Sequence, residues 1–160
     1  MPVKPDSKTT SPEAQLRSFI DRFDPKAQKL IHAVRTALRK RFPTANELAY
    51  DYGHSVVISY SPTERGFEGI VTTSASADGL RLYFAQGPKL PDPKKLLQGS
   101  AKQVRFIPVE AASRLAHPDV KALMAAAVGR APVPMPSKGK GGLFIRGAAA
   151  KKRPPRKPTK

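Results

Sequence analysis

Four short runs decide the fold: Glu47–Tyr52 "ELAYDY", His54–Tyr60 "HSVVISY", Phe67–Thr73 "FEGIVTT" and Gly79–Ala85 "GLRLYFA". Each is rich in β-branched and aromatic residues, the pattern has a period of two, and turn residues separate one run from the next. That is strand periodicity. Ala77-Asp78-Gly79 supplies the hairpin turn between the third run and the fourth. Lys102–Val109, "KQVRFIPV", reads as a fifth strand. Pro108 argues for an edge position or a strand end, because proline has no N–H to give to a ladder.

Working outward, the flanks switch to helical spacing. Ser11-Pro12-Glu13 offers an N-cap, a proline for the first turn and an early acid, so a short helix is expected through Phe19 and Ile20. Asp24-Pro25 repeats the signal and opens a longer helix. Its apolar stripe is Ala27, Leu30, Ile31, Val34 and Leu38, with Arg35, Arg39, Lys40 and Arg41 crowding the C-terminal turns, where positive charge suits the helix dipole. Pro43 ends it. "GPKLPDPKK" (87–95) is too proline-rich for a central strand and reads as a connection, with room for one helical turn at Lys94–Leu97. A last helix begins around His117-Pro118-Asp119 and stops at Gly129. The expected architecture is α+β: an antiparallel sheet of about five strands, with N-terminal and C-terminal helices packed on one face.

These signals place a domain at residues 11–129, between a polar leader at 1–10 and a Pro/Gly/Lys-rich tail at 130–160. Both ends are expected to be disordered, because they hold too little apolar surface to offset the entropy of ordering. "GLFIRG" (142–147) is the tail's one apolar island; a linker tolerates it, and it also suits a short docking motif. The chain carries a formal net charge of +17. Residues 129–160 hold ten Lys or Arg and no acid, while residues 1–128 hold 19 basic and 12 acidic residues. Such a surplus favours anionic partners. There is no cysteine, which excludes disulfides, thiolate metal sites and cysteine nucleophiles. The first residues lack the apolar core of a secretory signal, and "ALMAAAV" (122–128) is far short of the ~20 residues that span a bilayer. A cytoplasmic protein without membrane contact is the expectation.

Several catalytic signatures fail on spacing. "GHSVV" (53–57) begins like a nucleophile elbow, but Val57 stands where the second glycine belongs and a strand follows instead of a helix. "SKGKGGL" (137–143) lacks the spacing of a phosphate-binding Walker loop. His32, His54 and His117 form no pair with metal-ligand spacing. No catalytic residue, metal ligand or cofactor is assigned.

The alternating strands offer a different candidate. Leu80, Leu82 and Phe84 share one face and Arg81 and Tyr83 the other; Val104 and Phe106 share one face and Gln103 and Arg105 the other. With both apolar sets packed under the helices, Arg81, Tyr83 and Arg105 would decorate the opposite face and suit a carboxylate, a phosphate or a base edge. Just upstream, Gly99-Ser100-Ala101 suits a tight turn whose amides, beside Ser100, Lys102 and Arg105, could also point at an anion. The tail adds Lys151, Lys152, Arg153, Arg156, Lys157 and Lys160, an extended cationic stretch suited to a phosphate backbone.

Gln86-Gly87, Leu90-Pro91-Asp92-Pro93, Leu96-Leu97, Gly99-Ser100, Lys102 and Arg105 form a series that resembles the YdhG-like domain family, whose function is unassigned. The resemblance spans roughly Leu16 to Val128. Two positions depart from the family pattern: Ala101 stands where glycine is common, and Phe106 where histidine is common. The resemblance implies an α+β fold related to frataxin-like proteins, some of which are described as intracellular iron chaperones. Iron delivery of that kind uses clustered carboxylates. Here Glu13, Asp21 and Asp24 are interrupted by Arg17, Arg22 and Lys26. The reading that emerges is a non-enzymatic binding or accessory module whose basic tail contacts nucleic acid non-specifically. The alternatives are an iron chaperone, and an enzyme for a small anionic substrate with Tyr50, Tyr52, His54, Arg81 and Arg105 gathered in a pocket.

Overall fold

The computed structural model describes residues 11–65, 68–101 and 103–148. Ser11 caps α1 (Pro12–Ile20), its hydroxyl accepting the Ala14 amide at 3.1 Å. Asp24 caps α2 (Pro25–Arg41) in the same way, accepting from Ala27 N at 2.8 Å. His117 caps α3 (Pro118–Arg130): its Nδ1 accepts the Asp119 amide at 3.2 Å. In all three, proline follows the cap, where its missing N–H would have had no intrahelical partner.

The strands are β1 (Asn46–Asp51), β2 (Ser55–Ser61), β3 (Val71–Ser76), β4 (Gly79–Ala85), β5 (Val104–Val109) and β6 (Leu143–Ala148). They form one sheet in the order β5-β4-β3-β2-β1-β6. The first five make the expected antiparallel meander, with Gly79 at φ +111° closing the 77–79 turn. β5, which contains Pro108, is an edge strand, one of the two positions its proline allowed.

The sixth strand corrects the expectation of about five strands and a structureless segment from residue 130. "GLFIRG" docks: β6 lies parallel to β1, pairing Glu47 with Leu143, Leu48 with Phe144 and Ala49 with Ile145. It covers the backbone edge that β1 would otherwise present to water. The approach is tight: Gly142 N donates to Asn46 Oδ1 at 3.0 Å, and a Cβ on Gly141 would lie 1.7 Å from the Ala45 carbonyl oxygen. The basic residues Lys151, Lys152, Arg153, Arg156, Lys157 and Lys160, and the leader 1–10, lie outside the described residues. A second correction concerns 94–97, which form no helical turn. Instead both carboxylate oxygens of Asp92 accept backbone amides, from Leu96 at 2.8 Å and Leu97 at 2.9 Å, and Lys95 takes a positive φ.

One face of the sheet carries the core. Ala49, Val56, Ile58, Tyr60, Val71, Leu82, Phe84 and Ile107 pack against Leu16 and Ile20 of α1, Val34 and Leu38 of α2, and Leu123 and Met124 of α3. Full burial of each such aliphatic or Phe side chain is worth about 1.5–3 kcal/mol, so this single layer supplies most of the drive to fold. No helix among the described residues is long and apolar enough to cross a membrane.

Candidate functional site

The pairing register fixes which side chains share a face. One row across the sheet runs Leu48–Ser59–Thr72–Tyr83–Phe106, and the next runs Tyr50–Val57–Ser74–Arg81–Pro108. Both rows lie on the face away from the helices. The adjoining row, Glu47–Tyr60–Val71–Phe84–Arg105, lies on the helix side. This corrects the grouping of Arg81, Tyr83 and Arg105. Arg81 and Tyr83 do share the open face, but their companion from β5 is Phe106, and Arg105 projects to the opposite side.

The reason is registry. In β5 the residues opposite Leu80, Leu82 and Phe84 are Val109, Ile107 and Arg105, so the apolar set of this strand is Ile107 and Val109, not Val104 and Phe106. Arg105 donates to the carbonyls of Val104, at 2.9 Å, and Ala101, so its guanidinium closes the preceding loop. Its backbone also presses on Gly87, where a Cβ would lie 2.4 Å from Arg105 N. Gly99 adopts φ +106°, and Gln98 exchanges backbone hydrogen bonds with Phe106 at 2.8 and 3.0 Å. The described residues of the stretch 96–109 are therefore a turn at 96–101 and an edge strand at 104–109. Ser100 is exposed in that turn, and Lys102 lies outside the described residues.

On the open face, the Arg81 guanidinium lies over the Phe106 ring, 4.4 Å from its centroid, and donates to the Tyr83 hydroxyl at 3.4 Å. That hydrogen bond, the larger cause, raises the Arg81 pKa further, so Arg81 is a permanent cation. Tyr83 and Phe106 are in ring contact at 5.2 Å. Three strands away, Tyr50 and Tyr52 stack in parallel, 5.9 Å between centroids and 3° between planes, and Tyr52 is 51% exposed. Burial, then the neighbouring Tyr50, pushes the Tyr52 hydroxyl above its ordinary pKa. Between these aromatic pairs the central strands present Val57, Thr72, Ser74 and Ser76, with Ser55 and Ser59 buried among them, and neither strand contains a charged residue. An open cleft of about 530 Å³ starts at Thr72 and Tyr83 and runs off the strand ends past Gln86, Lys89 and Gln103.

The carboxylates of the strands go the other way. Glu47 and Asp51 share the helix-covered face and are buried. Arg35 of α2 donates to both oxygens of Glu47, each at 2.9 Å, and to both of Glu13, at 3.0 and 2.7 Å. Tyr60 donates to Glu47 at 2.8 Å. Burial, first, and the Glu47 charge drive the Tyr60 hydroxyl well above its ordinary pKa, so it stays a donor. Burial alone would lower the Arg35 pKa, but its hydrogen bonds to Glu13 and Glu47 outweigh that and raise it. Arg22 binds Asp51 through two nitrogens at 3.2 and 2.6 Å. Each strand carboxylate is thus neutralised beneath the helices. Among the described residues, no strand carboxylate faces the open side.

This network was not among the sequence candidates, although Arg35 sits four residues after Ile31 on the apolar stripe of α2, a position that signals a buried partner. The pocket of Tyr50, Tyr52, His54, Arg81 and Arg105 does not form, since Arg105 is on the other face and His54 lines a separate cleft with Arg22 and Asp24. Of the acids Glu13, Asp21 and Asp24, Glu13 is held by Arg35 and Asp24 caps α2. No group of three His, Asp or Glu among the described residues is placed to hold a metal ion.

Structure and site together define an α+β module with one helix-backed and one open sheet face. No protein-family model, curated protein or solved structure matches the chain.

Proposed function

We propose that the protein is a non-enzymatic accessory module, of the YdhG-like kind and working in the cytoplasm, that binds polyanions on the open face of its sheet. The basic residues at 151–160 add non-specific contact with nucleic acid. The observation that carries this reading is the segregation of charge across the sheet. Open antiparallel faces ordinarily mix acids and bases. Here both strand carboxylates are buried under the helices and paired with Arg35 and Arg22, while the open side keeps Arg81. Arg81 makes no ion pair within 4 Å among the described residues, Asp78 of the β3–β4 turn being its acidic neighbour, and the guanidinium lies over the Phe106 ring.

The test is binding of inorganic polyphosphate across a salt series. Replacing Lys151, Lys152, Arg153, Arg156, Lys157 and Lys160 with Gln removes the tail's share. If about five of those charges engage, the log–log salt slope flattens by about 4.5 on duplex DNA. In that background Arg81→Ala lowers polyphosphate affinity about tenfold, the worth of one charge-assisted contact. Absence of binding at low salt, or indifference to Arg81→Ala, would sink the reading.

A further inference from the structure

We infer that the open face is a stacking platform for single-stranded nucleic acid, with bases seated at two aromatic stations and the chain crossing the hydroxyl-lined strands between them. This deepens the polyanion reading and rests on it. Polyanion binding requires only positive charge; this face carries more than that. Three of the chain's four tyrosines, Tyr50, Tyr52 and Tyr83, belong to it, and the fourth, Tyr60, is buried in the core. Tyr52 is half exposed and continues the parallel stack begun by Tyr50, so a base laid on it would extend an existing column. At the other station Tyr83 meets Phe106 at a tilt, and the Arg81 guanidinium sits over the Phe106 ring, leaving Tyr83 as the ring for a base. A ring beside a fixed guanidinium offers a base a stacking surface and its phosphate a cation together.

The spacing between stations suits an extended strand. Tyr83 and Tyr50 are on β4 and β1, three interstrand steps apart, or about 14 Å at about 4.8 Å per step. They are also offset by one side-chain row along the strands. Across that gap the side chains are small. Ser55 and Ser59 are buried, Ser59 accepting from Thr72, while Ser74 and Ser76 beside Val57 are part-exposed. This leaves a shallow trough with those two hydroxyls for sugar and phosphate. No charged side chain of β2 or β3 interrupts it. Beyond Tyr83 the strand-end cleft of about 530 Å³ has the volume of a small-ligand site. Lys89 and the amide of Gln103 are on its wall. Its carboxylate, Glu68, is engaged by the Thr63 hydroxyl and by Arg65. A duplex hides its base faces within the stack and would leave both stations empty, so the complementarity is with single strands.

The experiment uses the full chain and three fluorescent probes: an eight-nucleotide single strand, an abasic strand of the same length and charge, and a duplex. The chain contains no tryptophan, so tyrosine emission reports stacking directly. The base-containing strand is expected to bind about tenfold or more tighter than the abasic one and to quench tyrosine emission. Tyr52→Ala and Tyr83→Ala should each erode that preference, and Tyr52→Phe should keep it. Both tyrosines are outside the core, and circular dichroism checks that each variant is folded. Equal affinity for the base-containing and abasic strands would overturn the inference while leaving polyanion binding intact. Tighter binding of duplex than of single strand would do the same. Failure to bind any of the three would instead remove the polyanion reading beneath it.

Discussion

Ending the chain at Arg130 removes β6 and should cost a large part of the stability, although composition alone would assign everything after Gly129 to a dispensable tail. Leu143 and Ile145 pack partly buried against the core, and Phe144 is partly buried beside Leu48 on the other face. Full burial of one such side chain is worth about 1.5–3 kcal/mol, so three at half burial contribute about 3 kcal/mol. The ladder to β1, including Glu47 N to Gly142 O at 2.8 Å, adds about 0.5–1.5 kcal/mol per bond. Set against the entropy of ordering residues 131–148, which offsets part of these gains, the net loss expected is about 4 kcal/mol, from a total that for domains of this size is about 5–15 kcal/mol. Urea denaturation of chains ending at Arg130 and at Ala148 measures the difference, and amide exchange in β1 localises it. Gly141→Ala offers an independent route, since its Cβ would collide with the Ala45 carbonyl and dislodge the same strand. Equal midpoints for the two truncated chains would refute the reasoning.

Arg35→Met should destabilise by about 3 kcal/mol, because Glu47 stays buried without its bidentate partner; denaturation at neutral pH checks this. The hydrogen bond from Arg35 holds the Glu13 carboxyl below its ordinary value of 4.5. The stability linked to Glu13 is therefore fully present above about 4.5 and lost as pH falls through the lowered folded-state value. Urea midpoints followed into acid should fall less steeply for Glu13→Gln than for the parent chain, and identical slopes would count against the linkage. Gly87→Ala should cost about 1–3 kcal/mol by forcing a Cβ into the Arg105 backbone, seen as a lowered midpoint with an unchanged denaturant slope.

Local chemistry determined most of the framework. Proline after Ser11, Asp24 and His117 specified where three helices begin, because caps act within one turn of chain. Period-two runs specified the meander, and Pro108 narrowed its strand to an edge or a strand end, because proline gives no N–H to a ladder. What needed the tertiary structure was every relation between distant segments. "GLFIRG" is too short for its periodicity to separate a strand from an apolar island; its partner is β1, some hundred residues earlier, and only the assembled sheet offers that edge. The face of β5 was equally hidden. Its own alternation allows either Val104 and Phe106 or Ile107 and Val109 to point inward, and a one-residue shift in register exchanges them. Pairing with β4 put Ile107 opposite Leu82, turned Arg105 away from Arg81, and brought Phe106 under the guanidinium. The same logic sent Glu47 and Asp51 beneath the helices, where Arg35 and Arg22 meet them, and left Tyr50 outside. Which residue types could serve a site was legible along the chain, but which of them share a surface depends on register, and register is settled by how the whole core packs.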